Sequence, residues 1–352
     1  MGALLGVLLH ALGGFAAGSF YLPFKIVKGW KWESAWLVLG FAAWVLSPIT
    51  FAYFTVPDLF NVLMAADAST KLWTFLFGVL WGIGGLTFGL SMRYLGISLG
   101  MTVALGFCTA FGTLIPPIYN GTFGDLLTNT SGQITMLGII ICLAAIAIVG
   151  WAGMRKEKEE VAVGFKNEAV VEFDLKKGVF VAVISGILSA CFAFGLEAGG
   201  EIAEIAHKAG AKEIFKNNAV LVWILWGGIA TNGLYTLFLN WKNKSAGDYT
   251  DTSAPLFKNY FWAMLGGLTW YLQFFFYGMG STLLGDKYEF ASWSIHMAFI
   301  ILFSNMWGLI FKEWKGASKT TIQILGLGLF VIMVSIVLIG LAGSIAAFFS
   351  TN

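Results

Sequence analysis

Ten stretches of about 20 predominantly apolar residues leave this chain few architectures. They fall at approximately 3–21, 36–54, 72–92, 98–118, 133–153, 178–196, 219–239, 260–280, 290–311 and 321–347. Each is long enough to cross the hydrocarbon core of a bilayer, where backbone N–H and C=O groups find no water and must bond within a helix. The expectation is an all-α membrane protein with ten transmembrane helices. Composition agrees: 58% of the residues are hydrophobic and only 11% charged, against roughly 25% charged in a soluble domain. GALLGVLLHALGG, at the start, has no basic region before it and no clean small-residue cleavage pattern after it. It reads as the first membrane helix and not as a removed signal peptide.

Charge carries information through its placement. The net charge of +2 gives no reason to expect a nucleic-acid partner. Sixteen of the 21 Lys and Arg residues fall in connections after odd-numbered spans, among them Lys25, Lys28, Lys31, Arg93, Arg155 and Lys312. The opposite side holds only Lys71, Lys208, Lys212, Lys216 and Lys287. The positive-inside rule therefore puts both termini on the outer side of the membrane. Lys25 and Arg93 lie near cytoplasmic helix ends, where snorkelling accounts for them.

The charged segment MRKEKEEVAVGFKNEAVVEFDLKK divides the chain nearly in half. It suggests an N-terminal five-helix unit at 1–153, a cytoplasmic linker at 154–177 and a C-terminal five-helix unit at 178–352. Because five is odd, a duplicated unit would insert the second time upside down, so the expected fold is two inverted five-helix repeats. Two internal echoes point the same way: Gly6 to Phe20 lines up with Gly178 to Phe192, and GLTFGL at 85–90 with GLTWYL at 267–272. Glycines four residues apart, at Gly14 and Gly18, Gly78 and Gly82, Gly85 and Gly89, and Gly96 and Gly100, suit close helix packing in lipid.

Ionisable side chains deep in a span are costly and usually face a cavity. The candidates for proton coupling are His10 in the first span and Glu289 and His296 in the ninth, where Glu289, Trp293 and His296 stand at i, i+4 and i+7. Imidazole titrates near neutral pH, and a carboxyl withdrawn from water holds its proton more firmly. The eighth span supplies sugar-binding chemistry. In GLTWYLQFFFYG an indole, an amide and a phenol share one face at Trp270, Gln273 and Tyr277, with Tyr271 beside them. Aromatic rings stack on the C–H face of a sugar, and an amide both donates and accepts hydrogen bonds. Trp293 and, on the seventh span, Asn232 and Tyr235 complete the candidate binding set. Glu197, at the outer end of the sixth span, is a further proton-site candidate. The external stretch EAGGEIAEIAHKAGAKEIFK reads as an interfacial amphipathic helix with i, i+4 ion pairs.

Cys108, Cys142 and Cys191 fit neither a disulfide framework nor a zinc site, and with three His residues a metal cluster is not expected. No cofactor is expected. The sequence has no HExxH and no P-loop, so it does not read as an enzyme.

YLPFKIVKGWKWE after the first span, GLSMRYLG after the third, GGLTWYLQFFFYG in the eighth, YEFASWSIHM opening the ninth and KEW after it run in order along nearly the whole chain. Together they resemble the bacterial L-rhamnose–proton symporters of the drug/metabolite transporter superfamily. The resemblance implies a ten-helix carrier of the bacterial inner membrane that takes up L-rhamnose, or a closely related sugar, with a proton. It supplies no binding residues, so the site set above rests on the side chains themselves. Gly85 departs from the pattern, which has an asparagine there in better-known members; the departure puts substrate preference in question. The alternative within the superfamily is an uncoupled facilitator, or an exporter of another small metabolite.

Overall fold

The computed structural model describes residues 2–95, 97–162, 174–284 and 291–350. All of its regular structure is helical. The long helices are α1 (Gly2–Ser19), α2 (Trp32–Thr55), α3 (Ala68–Leu95), α4 (Ile97–Tyr119), α5 (Thr130–Ala162), α6 (Leu175–Ala198), α7 (Asn218–Asn243), α8 (Leu256–Leu284), α9 (Ser292–Ile310) and α10 (Lys319–Gly340). Among the described residues, nine helices are long and apolar enough to cross a membrane. α8, with 29 residues, spans about 43 Å at 1.5 Å per residue and is long enough. Its Trp, Tyr and Gln side chains make its central stretch less apolar.

Where the helices depart from the expected spans, the cause is local. α2 contains a π turn at Ala42–Leu46, just before Pro48, whose ring cannot donate to the helix and crowds the carbonyl four residues earlier. α5 continues nine residues into the expected linker, because its charged end forms i, i+4 pairs: Lys156 with Glu160 at 3.1 Å and Arg155 with Glu159 at 3.7 Å. Asp174 then caps α6 by accepting from the Lys177 backbone N–H. The last span breaks at Leu341, after which a short helix runs Ala342–Ser350. The amphipathic stretch forms a helix at Gly200–Lys208 with Ile202, Ala203 and Ala206 buried. Its charges are used differently from expectation. Glu201 accepts from Thr70 and from the Asp67 backbone at the start of α3, while Glu213 pairs with Lys216 at 2.6 Å.

Packing sets the site. α1 lies against α8 and α9; α6 lies against α3 and α4; α5 pairs with α10 and α2 with α7. Glycines permit the close approaches. A Cβ on Gly14 would sit 2.4 Å from the Phe299 Cβ in α9, and one on Gly78 would sit 2.1 Å from the Ile224 carbonyl oxygen in α7. Gly85 and Gly89 are different: a Cβ on either meets nothing within 4 Å, so this pair does not serve helix packing. Gly96 lies outside the described residues.

Candidate functional site

The three long-range partners that build the site are α1, α8 and α9. His10 and His296, far apart in sequence, are fully buried side by side with ring centroids 6.1 Å apart. Tyr277 lies against both, 5.4 Å from His10 and 5.1 Å from His296. Small residues make the room. A Cβ on Gly13 would come within 3.1 Å of the His296 ring, and one on Gly280 within 2.9 Å of the His10 Nε2. Among the described residues no hydrogen-bond partner reaches any of the four ring nitrogens. Two buried imidazoles without partners are an unusual arrangement, since buried polar groups are almost always bonded. Glu289, the third proton-coupling candidate, lies outside the described residues.

From this pair an aromatic file runs toward the middle of the membrane helices. Trp293 is edge-on to Tyr277 at 5.6 Å and near-parallel to Phe192 at 5.8 Å. Phe192 stacks on Phe274 at 4.4 Å, and beyond it Trp81 stacks on Trp270 at 5.6 Å. Trp270, Phe274 and Tyr277, at i, i+4 and i+7, form the α8 side of the file. Trp293 is pinned: its indole N–H donates to the Cys108 carbonyl at 3.1 Å, and its ring lies over Gly112, where a Cβ would be 2.4 Å from the indole nitrogen. Next to it, the Thr113 and Ser294 hydroxyls bond at 2.8 Å and hold α4 to α9.

The remaining sugar-binding candidates lie around this file. Gln273 is buried beside α1, its side-chain N–H donating to the Trp270 carbonyl at 2.9 Å and its backbone carbonyl facing Gly13. Tyr271 sits on the adjoining face of α8, packed on Phe51 of α2, with no partner for its hydroxyl among the described residues. Asn232 donates to the carbonyls of Gly228 at 3.1 Å and Gly82 at 3.4 Å, bridging α7 to α3. Tyr235 is 43% exposed, away from the file.

A cavity of about 280 Å³ reaches the site from one end of the bundle, lined by Gly112, Pro116, Glu197, Asn217 and Tyr277 among others. Tyr277, whose ring lies against both imidazoles, is one of its lining residues. Glu197 accepts from the Asn120 amide at 2.9 Å at its rim. At the opposite end, polar contacts hold α2 to the α7–α8 connection. Ser34 donates to Asp248 at 2.7 Å, Ser245 to Glu33 at 2.8 Å, and Asn259 bonds the Lys28 backbone through both its amide atoms.

Sequence reasoning missed Trp81 and Phe192, which supply the face of the file opposite α8. Their signal was present: each is an aromatic residue among small ones, in WGIGG and SACFAFG.

Comparison with known proteins completes the picture. Residues 2–346 match the family described as L-rhamnose-proton symport protein. A protein of Yersinia pestis (strain Pestoides F) named L-rhamnose-proton symporter is 38% identical over 341 residues, covering 96% of this chain and 97% of its own. A protein of the same name from Pectobacterium atrosepticum is 37% identical over the same length.

Proposed function

The chain belongs to the L-rhamnose-proton symport family, and on that premise we propose how it works: it carries L-rhamnose and a proton together across the bacterial inner membrane by alternating access. The observation that supports a coupled carrier over an uncoupled facilitator is the imidazole pair, buried without partners among the described residues beside the aromatic file that reaches the cavity at Tyr277. Sugar stacks on Trp270 and its neighbours, with Gln273, Tyr271, Tyr277, Trp293 and Asn232 as the flanking groups. The proton is taken by His10 and His296, with Glu289 as the further coupling candidate. Two positive charges 6.1 Å apart would repel by about 3 kcal/mol at an effective dielectric constant near 20, so the pair holds one proton at a time.

We read the helices as ten membrane spans in two inverted repeats, 1–153 and 178–352 joined by 154–177, with both termini outside. Reciprocal contacts support this. Gly138 of α5 meets Ile339 and Leu338 of α10, while Gly328 of α10 meets Val149 and Ile148 of α5. Gly78 of α3 faces the Ile224 carbonyl of α7, and Gly267 of α8 faces the Leu39 carbonyl of α2. Gly14 fits against α9 as Gly186 fits against α4. In this orientation the cavity opens outward and the Ser34–Asp248 contacts close the cytoplasmic end.

Adding L-rhamnose to lightly buffered cells that express the protein is expected to make the medium more alkaline as protons enter with the sugar. Uptake with no pH change would refute symport. A second prediction concerns Gly85, one turn from Trp81 on the same face of α3 and open to a larger side chain. Gly85→Asn is expected to leave folding intact and to change the preference between L-rhamnose and related sugars by threefold or more in counterflow. An unchanged ranking would remove this position from the site.

A further inference from the structure

The indoles of α2 play no part in the outer cavity, yet they carry unsatisfied donors. Trp44 is 2% exposed and, among the described residues, its N–H has no acceptor; the N–H of Trp36 is likewise buried without one among them. Leaving such donors unpaired is costly, so each calls for a physical explanation. The two rings are neighbours, 6.2 Å apart and edge-on, and Trp44 is edge-on to Trp270 at 5.2 Å. They therefore extend the aromatic file past Trp270 toward the end of α2 that follows Lys31.

The backbone aims Trp44 there by an irregularity. It stands within the π turn Ala42–Leu46, the one π turn among the described residues, and its ring lies back over Gly40, where a Cβ would be 2.3 Å from a ring carbon. π turns recur at functional positions because they redirect a side chain without ending a helix. In α7, the helix that occupies the equivalent place in the other half, the backbone is regular α-helix throughout.

We propose that Trp36 and Trp44 form a second sugar subsite on the cytoplasmic side of Trp270, donating their indole N–H groups to hydroxyls of L-rhamnose before its release. The proposal rests on the symport reading and on the orientation given with it. A reducing sugar suits these donors: its hydroxyl oxygens accept, while its C–H face packs on the indole rings.

The test uses the full-length protein in vesicles of both orientations, with labelled L-rhamnose exchange measured separately from each face. Trp44→Phe keeps an apolar ring and removes the N–H. Its half-saturation at the face bearing most Lys and Arg is expected to rise five- to tenfold, with less than twofold change at the other face and unaltered thermal stability. Gly40→Ala, which displaces the Trp44 ring, and Trp36→Phe are expected to act at the same face, so the inference stays testable if Trp44→Phe does not fold. Unchanged half-saturation in the folded variants, or an equal rise at both faces, overturns it. Failure of the wild-type protein to exchange L-rhamnose at all would refute the symport reading instead, and that arm is scored first.

Discussion

His296→Gln is expected to abolish concentrative uptake of L-rhamnose while leaving exchange of labelled for unlabelled sugar within about threefold of wild type. One proton moving down a membrane potential of 100 mV supplies roughly 2.3 kcal/mol, enough for about 50-fold accumulation. A carrier that no longer binds the proton only equilibrates its sugar. The substitution is structurally mild, because neither ring nitrogen of His296 holds a hydrogen bond to any described residue and Gln nearly preserves the volume. Its effect therefore separates coupling from folding. His10→Gln is expected to act the same way, since the two rings share one site with Tyr277. Radiolabelled uptake in energised vesicles, paired with counterflow in de-energised ones, reads both quantities. Full accumulation by both variants would shift the coupling role to Glu289.

The second large effect is on the fold. Gly78→Ala and Gly267→Ala each place a methyl group about 1 Å too close to a backbone carbonyl, at Ile224 and Leu39 respectively. Backbone cannot step aside as a flexible side chain can, so the helices must separate. Overpacking of this kind costs typically 1–3 kcal/mol and sometimes more, which for a chain of 352 residues corresponds to a fall in melting temperature of about 1–4 °C. The two variants are expected to lose similar stability, because the repeat reading makes their contacts equivalent. Gly85→Ala is the control: its Cβ meets nothing within 4 Å, and a change under about 1 °C is expected. Thermal unfolding followed by size-exclusion chromatography in detergent measures all three. Equal melting temperatures for Gly78→Ala and wild type would contradict the α3–α7 packing described above.

Much of this fold could be read from the sequence because lipid imposes one demand everywhere: an apolar stretch of sufficient length must be helical. The spans were correspondingly clear, and the exceptions have physical causes. α5 runs on because its charged end forms ion pairs along one face, a local interaction that hydropathy does not register. On the proposed repeat reading, Gly14 and Gly186 make equivalent contacts in the register of the echo between the first and sixth spans. In the same reading the GLTFGL and GLTWYL strings fall out of register. Ser185 donates to the Gly84 carbonyl as Gly13 faces that of Gln273, a register about two helical turns away from the echo. Short Gly-rich strings repeat too easily in such a chain to fix alignment.

The site was legible in its parts and not in its assembly. Trp270 and Tyr277 followed from helical spacing alone, and both belong to the aromatic file. The pairing of His10 with His296 depends on three helices meeting where Gly13 and Gly280 leave space, which no local pattern encodes. Tyr271 shows the same limit from the other side. It is next to Trp270 in sequence, but one residue turns it by about 100° on a helix and sends it toward Phe51.

The most direct test is a gradient experiment on purified protein in proteoliposomes. With an imposed pH gradient, alkaline inside, labelled L-rhamnose is predicted to rise well above its external concentration and to fall back to equality when a protonophore is added. Concentration of the sugar that persists after both the pH difference and the membrane potential have been collapsed would contradict proton coupling outright.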